Sequence, residues 1–340
     1  MRPEIALDGA VVAANARAWE AFAGVPVYAV VKGDGYGWGY RALVDALEGH
    51  VGGYCVSDED ELGELRRYSA TRAIVLGRVP PERLADVLDS DALPTIASEA
   101  EVGVAARWAL HRKRPLRIRV GLRPATSWSG LSLDELRGFA PLLARAAAQV
   151  ELWSHVVDWE RRAAHFERFE DAMRLLRDAG VRIAGTDFAS TFPLAADGAH
   201  GDKVRIGVGL FGATGGFEVP GVRCALRVVA AVTDVERVSA ATAVGYGGVA
   251  AEPEATIVTA RCGYADGLPR SLAGSDDILS IGMQYITKSD AGGVTNSHTV
   301  LLDAATDLDA FAASAGRLPH EIVTAFGNAA SARATRRQHR

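Results

Sequence analysis

The sequence predicts an α/β protein: an N-terminal (β/α)8 TIM-like barrel followed by a mostly-β C-terminal domain. Three observations carry this. Eight short apolar runs punctuate the first two thirds of the chain, longer amphipathic segments separate most of them, and the pattern changes near residue 223. Strands buried on both faces read as unbroken apolar runs, and their alternation with helices implies a parallel sheet. Eight such units in about 200 residues match a barrel in number and size. An open doubly wound sheet is the alternative, since spacing alone does not close a sheet.

The eight runs are 25–32, 51–57, 72–77, 93–97, 116–122, 150–157, 182–188 and 204–212. The clearest helical segments between them, rich in Ala, Leu, Arg and Glu, are 58–68, 98–111, 132–147 and 160–179. Ser132 followed by Asp134 and Glu135 supplies an N-cap and acids for a first helical turn. Beyond the change of pattern, 224–235, 256–262 and 278–286 read as β-runs separated by Gly/Pro/Asp turns, and only 307–315 reads as helical. The predicted domains are therefore 8–222 and 223–340, with no low-complexity linker between them. The arginine-rich end, 333–340, reads as a frayed, solvated tail.

Composition narrows the function. The chain has 340 residues and is 49% hydrophobic, ample for a large core. A formal net charge of -5 argues against a nucleic-acid-binding field. Cys55, Cys224 and Cys262 are scattered and odd in number, which favours a reducing compartment and no metal site. No signal-peptide-like h-region and no run of about 18 apolar residues occurs, so a soluble cytoplasmic protein without membrane partners is expected.

The most informative stretch is Val30-Val31-Lys32-Gly33-Asp34-Gly35-Tyr36-Gly37-Trp38-Gly39. An apolar strand ends in a single lysine, followed by a glycine-rich turn. Strand ends at the C-terminal mouth are where barrels place reacting groups. Partial desolvation there would turn an amine into a base or a Schiff-base former. Taken alone, this stretch favours the plainer reading of Lys32 as a strand-end lysine reaching into water.

Three further segments bear on the chemistry: Val204-Arg205-Ile206-Gly207-Val208 with Leu210-Phe211-Gly212, Gly245-Tyr246-Gly247, and Gly263-Tyr264-Ala265-Asp266-Gly267-Leu268-Pro269-Arg270. With the lysine motif, and in this order, they resemble the alanine racemases, fold-type III enzymes that use pyridoxal 5'-phosphate (PLP). The likeness covers nearly the whole chain and marks it as a divergent member.

The resemblance implies an amino-acid racemase with two bases, Lys32 and Tyr246, flanking the α-carbon, because inversion removes a proton on one face and returns it on the other. Lys32 would hold the cofactor through its amine. Tyr36 would hydrogen-bond the phosphate through its phenol, and Gly207 and Val208 would offer main-chain N–H groups, joined by the Ser190 hydroxyl. Arg205 would face the pyridine nitrogen; an always-protonated guanidinium cannot readily give that nitrogen a proton, which keeps the ring a poor electron sink. His155 would link Tyr246 to Arg205. Met283 would help hold the substrate carboxylate by its backbone, and Tyr264 would line the approach to the site. The family also implies a homodimer with active sites shared between subunits, and would place residues 4–7 as a strand of the C-terminal domain. Without the motifs, Arg205 reads as a structural ion-pair partner, His155 as a core histidine, Ser190 as a turn serine and Met283 as a core methionine. Asp266 reads as a turn residue.

Departures from the family concern the substrate. Its carboxylate arginine lies in an Asp-Thr-Gly-Met-x-Arg-x-Gly segment. Here, aligning on Gly130 puts Trp128 at that position, with Arg123 as a substitute from a shifted loop. The family's often carbamylated lysine would correspond to Arg117. In the Cys-Met-Asp-Gln stretch, here Gly282-Met283-Gln284-Tyr285, the aspartate is lost, and a phosphate-contacting tyrosine is replaced by His320. The pattern predicts racemisation of a small amino acid with an altered carboxylate pocket. The alternatives are a PLP-dependent lyase, aldolase or decarboxylase on the same fold, or a PLP-binding protein without turnover.

Overall fold

The computed structural model describes residues 2–124, 129–155, 160–188, 201–245, 249–275, 277–290 and 297–338. The chain opens with strand β1 (Glu4–Leu7) and helix α1 (Gly9–Ala23). Asp8 caps that helix, accepting from Ala10 N and Val11 N, and Gly24 closes it in the left-handed region. Then come β2 (Val27–Val30), α2 (Tyr40–Leu47), β3 (Gly53–Val56), α3 (Glu59–Leu65), β4 (Ala73–Arg78), α4 (Leu84–Asp89), β5 (Ala92–Thr95), α5 (Glu99–Arg112), β6 (Arg117–Gly121), α6 (Leu133–Arg145), β7 (Gln149–Trp153), α7 (Arg162–Asp178), β8 (Arg182–Asp187) and β9 (Val204–Ile206). The predicted cap of 132–147 is a full capping box, Ser132 and Glu135 each bonding the other's backbone.

All eight predicted strands form one parallel sheet in the order β8-β7-β6-β5-β4-β3-β2-β9. The first and last strands of that path meet through Asp187 at the end of β8, which bonds Arg205 on β9, and through Asp202 N, which donates to Thr186 O. The barrel is thus completed by side chains and a main-chain contact where strand pairing stops.

The second half holds β10 (Leu226–Arg237), β11 (Thr242–Val244), β12 (Val249–Ala251), β13 (Thr256–Ala260), β14 (Ile278–Ile281), β15 (Ile286–Asp290), β16 (His298–Leu302), α8 (Leu308–Ser314) and α9 (Pro319–Gln338). Strand β10 is the spine: its first half pairs with β1 and β16, and beyond an irregularity between Val232 and Asp234 it pairs with β13. The N-terminal strand therefore joins this sheet, as the resemblance implied.

Two expectations are corrected. The run 278–286 is a hairpin, because Gly282 N donates to Tyr285 O and turns the chain between β14 and β15. The described part of the arginine-rich end is not frayed: α9 continues to Gln338. Ile322, Val323 and Phe326 are buried, and Arg333 pairs with Asp266 and donates to Pro3 O at 3.1 Å. Small residues let this helix lie directly on the turn after Lys32. A Cβ at Gly327 would stand 2.4 Å from Tyr36 O, and Ser331 Oγ donates to Gly37 O at 2.6 Å. Gly327→Ala is therefore expected to destabilise the protein by about 1–3 kcal/mol through overpacking against backbone that has no rotamer to give; thermal melts of the variant check it.

Candidate active site

The site is built around the turn that leaves β2. Gly33, Asp34, Gly35 and Tyr36 follow one another at φ of 66°, 50°, 61° and 56°, a single left-handed turn. Glycine adopts this freely, while a bulky residue such as Tyr36 is strained there, at a cost of order 1–3 kcal/mol. The surroundings hold the turn in place. Gly33 N donates to Glu61 Oε1 at 2.7 Å, Tyr40 N to Asp34 Oδ1 at 3.0 Å, and Gly35 N to Val31 O at 2.8 Å.

The turn leaves Lys32 exposed at the mouth and folds the Tyr36 ring back into the protein. Within one chain the Lys32 amine is thus not desolvated, contrary to the strand-end expectation, because the buried part of the run stops at Val31. Tyr36 packs on Phe211 at 5.3 Å between ring centroids and on His320 at 6.2 Å. Burial pushes its phenol well above the ordinary range, so it remains a proton donor. A Cβ on Gly207 would lie 2.3 Å from the Tyr36 hydroxyl, so only glycine admits that hydroxyl against this main chain. Val208 is buried and opens the short 3-10 turn Val208–Phe211, whose first bond runs from Leu210 N to Gly207 O.

Deeper in the mouth, Arg205 is buried. Its Nε donates to Asp187 Oδ1 at 2.5 Å and its Nη2 to the Ser154 carbonyl at 2.6 Å. Arg119 Nη2 donates to the other oxygen, Asp187 Oδ2, also at 2.5 Å. Both guanidiniums lie over the Trp153 ring, at 4.9 Å for Arg119 and 5.4 Å for Arg205. Burial alone would raise the Asp187 carboxyl, but Arg119, Arg205 and Lys203 hold it below the usual carboxylate range. Arg205 is thus the structural ion-pair partner that one reading foresaw, and it stands in the mouth as well.

His155 sits one residue beyond the Ser154 carbonyl. Burial, with Arg205 and Lys32 nearby, depresses its imidazole to about 4. Unfolding then takes up a proton between the unperturbed 6.5 and that value, so stability is full above pH 6.5 and falls as pH drops towards 4. The loss should reach about 2–3 kcal/mol, and His155→Gln should flatten it in denaturant titrations of the cofactor-free protein across pH.

The structure brings Lys32, Tyr36, His155, Arg205, Gly207, Val208 and His320 to one end of the barrel. Tyr264 and Met283 come together elsewhere, on the C-terminal sheet: Tyr264 N donates to Gly282 O and Ala265 N to Met283 O, both at 3.0 Å. Met283 is 57% exposed and Tyr264 45%, which removes the core-methionine reading. Asp266 is a turn residue, accepting from Gly263 N, and also the anchor of Arg333. Arg123 is already engaged, donating to Gly130 O at 3.0 Å and to Glu135 Oε2 at 2.9 Å. Arg117 lies at the start of β6 with an exposed side chain, 3.9 Å from Glu151. The arginine of that strand inside the mouth is Arg119, two residues on and on the same face. Tyr246, Ser190 and Trp128 lie outside the described residues.

The sequence of the family domain described as "Alanine racemase, N-terminal domain" matches residues 7–215, and "Alanine racemase, C-terminal domain" matches residues 225–334. The chain belongs to the alanine racemase family. Alanine racemase of Beutenbergia cavernae is 30% identical, with 94% of each chain covered; that of Salinispora arenicola is 29% identical, covering 88% of this chain and 89% of the relative. Among solved structures, alanine racemase from Streptomyces coelicolor superposes with a TM-score of 0.83 at 22% identity, 96% of each chain being covered. The enzyme from Bartonella henselae, solved with covalently bound pyridoxal phosphate, gives 0.81 at 20% identity over 97% of this chain and 98% of that one. These likenesses establish the barrel-plus-β fold, and the family is one of PLP-dependent isomerases.

The mouth of this alanine racemase family member fits that cofactor. A lysine amine stands at the rim for an aldehyde. A phenol and a side-chain-free stretch of main chain at Gly207 suit a phosphate, and a buried guanidinium suits a ring nitrogen. The residues that sequence reading missed are Asp187, Arg119 and Trp153. The one hint was Arg119 within the apolar run 116–122, a charge inside a barrel strand that demands a buried partner; nothing local pointed to Asp187 or Trp153.

Proposed function

We propose that this protein racemises a small amino acid with PLP, using Lys32 and Tyr246 as bases on opposite faces of the α-carbon, in a homodimer whose sites combine residues of both subunits. The observation that carries this is the left-handed turn, which sets an exposed Lys32 at the barrel mouth and a buried Tyr36 hydroxyl against Gly207. PLP, when bound, supplies the electron sink that makes the α-proton of an amino acid removable. Lys32 holds the cofactor's aldehyde end and moves the proton on its own face. Tyr36, Gly207, Val208 and Ser190 bind the phosphate, and His320 walls that pocket beside Tyr36. Arg205 remains protonated against the ring nitrogen. Neutral His155 links Arg205 to Tyr246, which moves the proton on the opposite face.

The dimer rests on complementary exposure. Lys32 is open at the mouth of one chain, while Tyr264, Met283 and Tyr285 (42% exposed) present an apolar group on the C-terminal sheet. Covering both would supply the desolvation that Lys32 lacks in a single chain. In sequence, Tyr246 falls between β11 and β12 of that same half. The free thiols of Cys55, Cys224 and Cys262 fit the reducing, cytoplasmic setting proposed, and among the described residues no helix is long and apolar enough to cross a membrane.

The test is incubation of the PLP-loaded protein with a panel of L-amino acids in deuterated water, followed by mass and chiral analysis. Racemisation gives both α-deuteration and the D-enantiomer. Exchange without inversion, or carbon–carbon cleavage, would replace the racemase reading with a lyase or decarboxylase.

Specificity should differ from that for alanine. Trp128 stands where the family's carboxylate arginine is expected, and Arg123 is committed to Gly130 and Glu135. An indole offers one neutral donor where an arginine fork offers two charge-assisted ones, a difference of roughly 1.5–3 kcal/mol or about one to two orders of magnitude. Alanine should be a poor substrate, and Trp128→Arg should raise its kcat/KM by about tenfold or more. Efficient wild-type turnover of alanine would make Trp128 a packing residue.

A further inference from the structure

We infer that Asp187 is a positioning residue for Arg205, and that Arg119 is the counter-cation that lets a buried carboxylate grip that arginine without neutralising the cluster. This rests on the reading of Arg205 as the group facing the pyridine nitrogen.

The grip is a closed loop of hydrogen bonds. Asp187 Oδ1 accepts from Arg205 Nε at 2.5 Å, Arg205 Nη2 donates to Ser154 O at 2.6 Å, and Ser154 N donates to Asp187 O at 3.0 Å. The ends of β7 and β8 thus hold two donors of one guanidinium and also hold each other. A planar fork fixed at two edges, with an indole under its face, has a single orientation. Ser154 is itself pinned, its Oγ donating to Leu122 O at 2.9 Å.

Charge explains the second arginine. An isolated Asp187–Arg205 pair would be a neutral unit, and the field of the guanidinium at a nearby ring nitrogen would be largely cancelled. Arg119 occupies the other carboxylate oxygen, so two cations share one anion and the cluster keeps one positive charge. The remaining charged groups facing it do not alter that count. Lys203 and Glu151 pair with each other deeper in the barrel, and burial keeps Cys55 a neutral thiol. Arg119 and Asp187 are fully buried, so neither meets solvent or substrate directly. Their effect reaches the chemistry only through Arg205.

Two variants separate grip from charge. The double variant Asp187→Asn/Arg119→Gln keeps the cluster at one positive charge but removes the carboxylate that holds Arg205 Nε. Arg119→Gln alone keeps the grip and removes the charge. For the double variant, the cofactor-free protein should melt lower than wild type, because Arg205 stays buried without its carboxylate partner, so cofactor binding is read well below that melt. PLP should bind about tenfold or more weakly, as loss of a charge-assisted hydrogen bond predicts, and kcat should fall with little change in substrate KM. For Arg119→Gln, PLP should bind with wild-type stoichiometry. The absorbance titration of the bound cofactor should shift to higher pH, because the ring nitrogen is protonated more readily. Asp187→Glu, which keeps every charge and displaces the carboxylate by one methylene, guards against a double variant that does not fold; it too should weaken PLP binding. If Asp187→Glu and the double variant both bind PLP and turn over like wild type, Asp187 is a structural ion-pair partner and the inference falls. If the wild-type protein takes up no PLP, the functional reading has failed instead.

Discussion

Replacing Lys32 by alanine should abolish covalent cofactor attachment and reduce racemisation by more than about 10³-fold, since loss of a positioned base alone is worth roughly 10²–10⁴. The wild-type protein loaded with PLP should be yellow, lose that colour on borohydride reduction, and yield a pyridoxyl-labelled peptide containing Lys32. Labelling discriminates among the four lysines, because the other three lie in different settings. Lys203 is buried in a pair with Glu151, Lys288 bonds Asp277 at 2.9 Å, and Lys113 ends helix α5 in the left-handed region. None of them is directly followed by a left-handed glycine turn, as Lys32 is, and the phenol near Lys203, that of Tyr28, lies under its already paired amine at 5.2 Å. A reduced label on Lys203 or Lys288, or undiminished turnover by Lys32→Ala, would overturn the assignment.

The barrel was legible because its strands are buried on both faces. Val27–Val30 and Gly53–Val56 are buried at every position, and such strands have to be written as apolar runs. The lysine turn was legible for a related reason: four consecutive left-handed residues are tolerable only where glycines supply two of them. What escaped was set by partners distant in sequence. Asp187 lies 68 residues from Arg119 and 18 from Arg205, and no local pattern announces that three strands converge on one carboxylate. Arg117 and Arg119 share a face at period two, so the sequence could not say which reaches the mouth. Helix α9 was hidden by its own adaptation. The residues that let it lie against Tyr36 and Gly37 are Gly327 and Ser331, small groups that carry no apolar periodicity. Met283 failed in the opposite sense. A methionine reads as core by default, yet here it is exposed on the C-terminal sheet.

Tyr246→Phe should remove one base and leave the other, so its effect is directional. A phenol's ordinary pKa of about 10 must be lowered by a neighbouring cation for the group to act as a base near neutral pH. Phenylalanine keeps the ring and discards the proton carrier. Turnover should drop roughly 10²–10⁴-fold, while PLP still attaches to Lys32 and is still labelled there. Exchange of the α-proton with deuterated solvent should survive from the enantiomer whose proton faces Lys32 and disappear from the other. Because we assign Tyr246 to the partner's site, mixing Lys32→Ala chains with Tyr246→Phe chains under subunit exchange should rebuild one intact site per heterodimer. Activity should then return towards a quarter of the wild-type value in an equal mixture: half the dimers are hetero, each with one of its two sites complete. Recovery is the outcome that a shared site requires. If exchange is demonstrated and the mixture stays inactive, each chain supplies both of its own bases and the dimer is not part of the chemistry.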